Sequence, residues 1–446
     1  MKTCSHKRSL LFWKQLFIIN CSLSIALASC SVSKQISKSA DHILINDTSI
    51  STGHIGISVY EPAANKYWYN YNAEKYFVPA SNTKLFTLYA GMKYLGDSLE
   101  GLRLIAYGTD TLAYPTADPT FLHKDFPNQP VFDFLKRSVH VRYTYHFFIK
   151  NDLGLGKGWA WDDYTEAYMP HRSRFPIYGN LFAIMLDDNK KIVTTIPSSV
   201  KLTVACNPNE GFSLTKNWDD NVINLKKGKG KAGEIPFVPI GADVATMIND
   251  TLGKIIYIKG LDGEYDIIPT AIPPIYSRPT DELLKPMMHN SDNFFAEQTL
   301  LMASNQKLGY MSDETIIDSL LKTDLKDVPQ QPKWVDGSGL SRYNLFTPQS
   351  FIYILNKMKN EFGFDRLKTI LPTGGEGTLK NYYLQDSTFI YAKTGSLSNN
   401  TSLSGFLITK KNKVLIFSIL VNNFQGSATP VKRAIEKFLQ EIRDRD

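Results

Sequence analysis

Cysteine is scarce in this chain of 446 residues: Cys4, Cys21, Cys30 and Cys206 are all there are. Three fall within the first 30 positions, so an exported form would carry a single free thiol and no internal disulfide. That thiol, Cys206, lies in KLTVACNPNEG, an apolar strand-like run, where a small buried hydrophobe is expected rather than a nucleophile. The eight histidines show no His-Glu-x-x-His spacing, so neither a metal nor an organic cofactor is expected. Acidic residues are missing altogether before Asp41. The formal charge of +7 falls to +3 once Lys2, Lys7, Arg8 and Lys14 are set aside, an ordinary balance that argues against a nucleic-acid partner. No period of roughly 20–50 residues recurs, which excludes a solenoid. The longest leading apolar run, Leu16 to Ser29, is broken by Asn20, Cys21 and serines and is too short for a permanent membrane span.

That run suits another purpose. A basic stretch, an apolar run and a small-residue end make residues 1–29 an export signal. Its end, Leu27-Ala28-Ser29-Cys30, resembles the bacterial lipobox. Lipidation of Cys30 is the implication, and more than one acyl chain gives stable attachment to a membrane. Residues 30–47 are polar and poor in aromatics, as in a flexible tether. The expected location is the periplasmic face of the cell envelope, lipid-anchored, at the outer membrane. The rest of the chain, with 43% apolar and 12% aromatic residues overall, can bury more than one core.

HIGISVYEP (54–62) and KYWYNYN (66–72) alternate apolar and polar residues around a break, the pattern of a β-hairpin. Leu85, Leu88, Tyr89, Met92 and Leu95 then follow helical spacing. Residues 103–276 have a different texture, with short β-like runs between turn-rich stretches. Within them LKKGKGKAGE (225–234) reads as a solvated lysine-rich loop. From about 277 helical patterns return, with a break expected at Pro286, and the tail reads as strand, hairpin and amphipathic helix. The expected organisation is a split domain over 48–102 and 277–446, with 103–276 inserted.

Three short motifs line up in order: Ser81-Asn82-Thr83-Lys84, Ser291-Asp292-Asn293 and Lys393-Thr394-Gly395. Ser-x-x-Lys alone says little, since it starts at Ser31, Ser81, Ser198, Ser213, Ser304 and Ser319, and a serine at a helix start is more often a cap. Only Ser81 opens a helical pattern and is followed in sequence by the other two motifs. Lys-Thr-Gly occurs once, at the end of an apolar run where a strand can present it to a cleft.

This ordered set resembles that of the serine penicillin-recognising enzymes. Residues i and i+3 share a helix face, so Lys84 can reach the Ser81 hydroxyl and accept its proton if its pKa is lowered by burial or by Lys393. The resemblance implies that Ser291 relays that proton to the leaving amine and that Asn293 holds a substrate carbonyl. Lys393 and Thr394 would meet a terminal carboxylate, and the N–H groups of Ser81 and Ser396 would form the oxyanion hole.

The long interval from Ser81 to Ser291 separates this chain from class A β-lactamases. It is similar to the class C low-molecular-mass penicillin-binding proteins, the D-alanyl-D-alanine carboxypeptidase/endopeptidase family. GKGWAWDDYTEAY (156–168), VDGSGLSRYN (335–344), GGEGTLKN (374–381) and AKTGSLSNNTSLSGF (392–406) resemble family segments, so the likeness covers most of residues 54–425. It implies an α/β fold: a β-lactamase/transpeptidase-like domain of antiparallel sheet plus helices, with a large β-rich insertion. It implies a serine DD-peptidase acting on peptidoglycan stem peptides and acylated by β-lactams. It also implies that Asp163, Arg342 and position 398 recognise the free end of a diaminopimelate side chain; here 398 is serine where glutamine is common. The rival readings are a β-lactamase-like hydrolase and a non-catalytic cell-wall binding protein of the same fold.

Overall fold

The computed structural model describes residues 33–107, 110–138, 141–144, 154–198, 201–218, 220–239, 241–253, 258–259, 273–385 and 387–445. The export signal and Cys30 lie outside them. In chain order, helix α1 (33–40) runs into a π-helical turn at Asp41–Ile45. Strands β1 (His54–Glu61) and β2 (Lys66–Tyr71) and helix α2 (Lys84–Tyr94) follow. Next come β3 (Ser98–Tyr107), β4 (Asp110–Pro115), α3 (Pro130–Arg137), β5 (Val141–Thr144), β6 (Leu181–Leu186) and β7 (Ile192–Ile196). Strands β8 (Leu202–Gly211), β9 (Ser213–Thr215), β10 (Ile223–Lys229) and β11 (Ala232–Pro236), helix α4 (Gly241–Leu252) and strands β12 (Ile258–Lys259) and β13 (Ile275–Pro279) continue this middle region. Helices α5 (Thr280–His289), α6 (Asn293–Leu308), α7 (Asp313–Lys322), α8 (Pro348–Phe362) and α9 (Phe364–Ile370) lead to β14 (Ile390–Leu397), β15 (Asn400–Ile408), β16 (Val414–Asn422) and α10 (Ala428–Arg445).

The first and last strands share one antiparallel sheet, in the order β14-β15-β16-β1-β2. Strand β16 shows why helices cover both faces: Ile416 and Leu420 face α2 and α5–α9, while Leu415, Phe417, Ile419 and Val421 face α10 and the N-terminal helix. Helix α2 sits at the centre of the helical layer, with Leu85, Phe86, Leu88, Tyr89 and Ala90 fully buried. Between the apolar positions runs a cross-strand row of polar residues, three serines and a lysine. Ser58, Ser418, Ser404 and Lys393 lie opposite one another in register. This row leaves room for the turn that precedes α2.

The middle region builds on β3 and β13, which pair antiparallel from Ser98↔Pro279 to Leu102↔Ile275 and form the sheet β12-β5-β4-β3-β13. The insertion therefore takes in residues 98–102 and 277–279, beyond the boundaries expected from sequence. Two three-stranded sheets, β11-β6-β7 and β8-β10-β9, share a small second core.

Three expectations need correction. Residues 33–45 are not a free tether but helical, and Ile36, Ala40, Ile43 and Leu44 are buried at helical spacing against the α10 side of the sheet. Ser39 Oγ donates to Glu441 Oε2 at 2.7 Å. Low average hydrophobicity hid a complete amphipathic stripe. Residues 225–234 are not a loop but the inner strand β10 and the start of β11, with Ile223 and Leu225 turned inward and Lys229 outward. Finally, Pro286 lies within α5; the break falls at residues 290–292, because burial of Leu283, Leu284, Met287 and Met288 outweighs the hydrogen bond that proline removes. The side chain of Cys206 lies outside the described ones.

Truncating Leu44 to alanine should destabilise the protein by about 2–4 kcal/mol, read as a lower urea midpoint at unchanged slope. An unmoved midpoint would mean that the N-terminal helix is not part of the folded core.

Candidate active site

Ser81 does not cap a helix. It lies in the 3-10 turn Ala80–Thr83, one turn before α2, and no side chain caps that turn. The turn rests on the sheet through its neighbours. Buried Asn82 donates its amide to the Lys393 carbonyl at 2.7 Å and accepts from Ser404 Oγ at 2.7 Å, the orientation that satisfies both ends. Ser402 Oγ donates to the Pro79 carbonyl at 2.7 Å.

Two glycines make this approach possible. A Cβ on Gly395 would stand 2.6 Å from the Pro79 carbonyl oxygen and 3.0 Å from Ser81 N. The third residue of Lys-Thr-Gly thus lets β14 lie against the Ser81 backbone. Gly339, at φ +85°, would place a Cβ 2.0 Å from the Ala80 carbonyl oxygen. Ala80 itself has φ 50°, a costly conformation for an L-residue that the packing around it sustains.

Lys84 opens α2 and is fully buried. Its Nζ donates to Ser81 Oγ (3.0 Å), Asn293 Oδ1 (2.6 Å) and the Ser338 carbonyl (2.7 Å), so each ammonium proton has an acceptor. Burial nevertheless pulls its pKa down to about 8, against Asp292, Asp336 and Glu297, which favour the charge. A lysine so placed can lose its proton near neutral pH; Ser81 then donates to Nζ, the arrangement a nucleophile needs.

The second pair mirrors the first. Lys393, also fully buried, donates from Nζ to Ser291 Oγ (2.8 Å) and to the Thr394 carbonyl (2.7 Å). Burial first and the Lys84 charge second hold its pKa well below the ordinary lysine value. Ser291 takes φ 57° between α5 and α6, while the next residue, Asp292, caps α6 by accepting from Phe295 N at 2.8 Å. The serine is thereby left free of capping.

A cavity of about 310 Å³ opens over these groups. Ser81, Ser291, Asn293 and Ser396 line its floor side, and Asp163, Tyr168, Arg342 and Ser398 also line it. Arg342 Nη1 lies 3.5 Å from the Ser398 carbonyl. Burial, followed by a hydrogen bond to Asp163, pushes the Tyr168 hydroxyl up to about 12. An anion, a cation and a hydroxyl therefore meet in one opening, within reach of the Ser81 hydroxyl. Lys393, Thr394 and Gly395 do not line this cavity; Thr394 lines a second, smaller one, where its Oγ1 donates to Thr378 Oγ1 at 2.7 Å.

Asn293 does more than the sequence suggested: its oxygen holds Lys84, and its amide donates to the Tyr168 carbonyl of the inserted region at 2.9 Å. Sequence reasoning assigned no role to Tyr168 or Asp336. Asp336 accepts from Gly339 N, Ser341 N, Asn344 Nδ2 and Trp159 Nε1 at 2.6–2.9 Å, and so shapes the 336–344 loop around Lys84 and Arg342. The Asp-Gly-Ser-Gly run was the available signal, since an acid ahead of two glycines favours a turn closed on backbone N–H groups.

Acylation of Ser81 should follow the deprotonation of Lys84. The rate should be level above about pH 8 and fall as the pH drops below it, because the protonated lysine cannot act as base. Replacing Lys84 by methionine should slow acylation by about 10²–10⁴-fold. Stopped-flow acylation with a chromogenic β-lactam measures both, and a pH-independent rate below pH 7 would exclude Lys84 as the base.

The chain matches the model of the D-Ala-D-Ala carboxypeptidase 3 (S13) family over residues 36–210 and 269–445. It is 32% identical over 166 residues to Carboxypeptidase DacB of Mycolicibacterium smegmatis, covering 34% of this chain and 36% of that protein. To D-alanyl-D-alanine carboxypeptidase DacB of Haemophilus influenzae it is 26% identical over 321 residues, covering 62% of this chain and 63% of the relative. The chain thus spans less than two thirds of the length of either relative. Its fold is similar to that of penicillin binding protein 4 (dacB) from Haemophilus influenzae, with a TM-score of 0.72 at 20% identity, over 92% of this chain and 99% of the other. With the family model matched over residues 36–210 and 269–445, and with Ser81, Lys84, Ser291 and Lys393 assembled beside one cavity, this chain belongs to the D-Ala-D-Ala carboxypeptidase 3 (S13) family.

Proposed function

We propose that this protein is a serine DD-peptidase of the peptidoglycan that works through an acyl-enzyme. The observation that carries this is the direct contact of Lys84 Nζ with Ser81 Oγ beside the Lys393–Ser291 pair. Ser81 Oγ attacks the carbonyl of the penultimate D-alanine and passes its proton to Lys84. The C–N bond breaks as Ser291, bonded to Lys393, relays to the departing amine the proton that Lys84 has taken, which leaves Lys84 neutral for the second step. Water then hydrolyses the ester by the same route and restores Ser81. The N–H groups of Ser81 and Ser396 support the oxyanion.

The leaving group is D-alanine in the carboxypeptidase reaction or the side chain of a cross-linked diaminopimelate in the endopeptidase reaction. Asp163, Arg342 and Ser398 suit a free zwitterionic end, the aspartate taking the ammonium and the arginine the carboxylate. β-Lactams, as mimics of the scissile peptide, acylate the same serine. Export and a lipid anchor at Cys30 place this chemistry on the periplasmic face of the envelope.

Labelled penicillin should mark the mature protein on Ser81 and leave a Ser81→Ala variant unmarked; equal marking of both would sink the assignment. Asp163→Asn should raise KM for diaminopimelate stem peptides about 10- to 100-fold with penicillin labelling unchanged. Chromatography of the muropeptides released from purified peptidoglycan assigns carboxypeptidase and endopeptidase products.

A further inference from the structure

Glu297 belongs to α6, one turn beyond Asn293, and is 1% exposed. Nothing in the acyl-transfer scheme uses it. Its Oε1 accepts from Ser338 N at 2.7 Å, while the carbonyl of the same residue accepts from Lys84 Nζ at 2.7 Å. The neighbouring Gly337 carbonyl accepts from Thr87 Oγ1 at 2.7 Å. A Cβ on Gly337 would stand 2.6 Å from the Ala296 carbonyl oxygen and 3.2 Å from the Glu297 Cα, so this loop lies flat on α6. The Ser338 residue is thus clamped between the carboxylate of α6 and the ammonium of α2.

The other carboxylate oxygen, Oε2, is buried and has no hydrogen-bond partner among the described residues. Arg172 Nη1 of the inserted region stands 3.7 Å away. That arginine also pairs with Asp313, bonds the Leu155 carbonyl at 3.1 Å and lies 5.7 Å over the Trp159 ring, while Trp159 bonds Asp336. The segment it holds leads directly to Asp163. A glutamine would satisfy the Ser338 N–H equally well, so a buried carboxylate with an unbonded oxygen calls for a role that needs charge.

We propose that Glu297 is a positioning residue for acylation: it holds the Ser338 carbonyl against Lys84, places an ionisable charge behind the base, and connects that base through Arg172 to the wall that bears Asp163. The inference rests on Lys84 being the base. The charged groups facing Glu297 are Lys84 from α2, Asp336 from the loop, Arg172 from the insertion and Asp313 from α7. Burial, then Asp336, push the Glu297 carboxyl up to about 7, against Arg172 and the Ser338 N–H. Its ionisation therefore overlaps that of Lys84, whose charge an ionised Glu297 favours. An ionised Glu297 retains the proton on Lys84; a neutral one releases it.

The test is the pH profile of Ser81 acylation by a chromogenic β-lactam in the full mature protein. In the unmodified protein the acid limb should rise with a slope below one between roughly pH 6 and 8, as coupled sites do. Glu297→Gln should restore unit slope and move the midpoint to lower pH by roughly half a unit or more, since a negative charge is removed from beside the ammonium. Glu297→Asp, which keeps the charge but shortens the reach, should lower the rate at all pH values without that shift. Unit slope in the unmodified protein, or a Glu297→Gln midpoint that does not move, overturns the proposal. The slope alone decides if the glutamine variant does not fold. If Lys84→Met is acylated as fast as the unmodified protein, the assignment of the base has failed; if it is not, an unmoved Glu297→Gln midpoint counts against Glu297 alone.

Discussion

Burying the Lys84 ammonium is the constraint around which this molecule is arranged. A charge taken out of water costs far more than folding can spare unless every proton finds an acceptor. Here the three acceptors come from three separate stretches: Ser81 from the turn before α2, Asn293 from the start of α6, and Ser338 from the 336–344 loop. None of the three can shift without leaving part of the ammonium unsatisfied. The requirement that keeps the lysine bonded is therefore the one that gathers Ser81, the Asn293 amide and the loop.

Close packing of backbone on backbone completes the arrangement. The Ser81 turn is pressed between β14 and the 336–344 loop, at contacts where only Gly395 and Gly339 fit. Ala80 and Ser291 hold left-handed conformations on either side of the site, at φ 50° and φ 57°. Such strain, about 1–3 kcal/mol for each residue, persists only where the surroundings over-determine it. Both strained residues are adjacent to groups that must be aimed rather than merely buried. The cross-strand row of serines beneath them, Ser58, Ser418 and Ser404, supplies space and hydrogen bonds where larger apolar side chains would lift the turn off the sheet.

The inserted region is part of the site and not an appendage to it. It leaves the central domain as β3 and returns as β13, and between them it delivers Asp163 and Tyr168 to the cavity. It is attached by apolar packing, with His123 and Phe126 against Phe295, and by polar contacts: Tyr168 to Asn293, Trp159 to Asp336, and Arg172 to Glu297 and Asp313. Through Asn293 the cavity wall supplied by the insertion and the buried Lys84 are joined by hydrogen bonds.

The chain alone determined the order of the three motifs, the alternation that makes β1 and β2, the apolar runs and lysine-rich turn of β14–β16, and the helical periodicity of α2 and α10. These are local patterns, and local physics suffices to read them. The N-terminal helix was equally local in its spacing, at Ile36, Ala40, Ile43 and Leu44, but its polar average concealed it. Likewise the lysines and glycines of β10 disguised a strand whose Ile223 and Leu225 supply the core. Other features had no local trace at all. Whether Ser81 caps a helix or faces a lysine depends on where Lys393, Ser402 and Ser404 place the turn. That Asn293 bonds Lys84 depends on α6 packing against α2, and that Glu297 holds Ser338 depends on a loop some forty residues further along the chain folding back onto α6. Spacing along a chain specifies which residues share a helix face or a strand. Only tertiary packing decides which of them are cut off from water, and that removal turns an ordinary lysine into one able to act as a base.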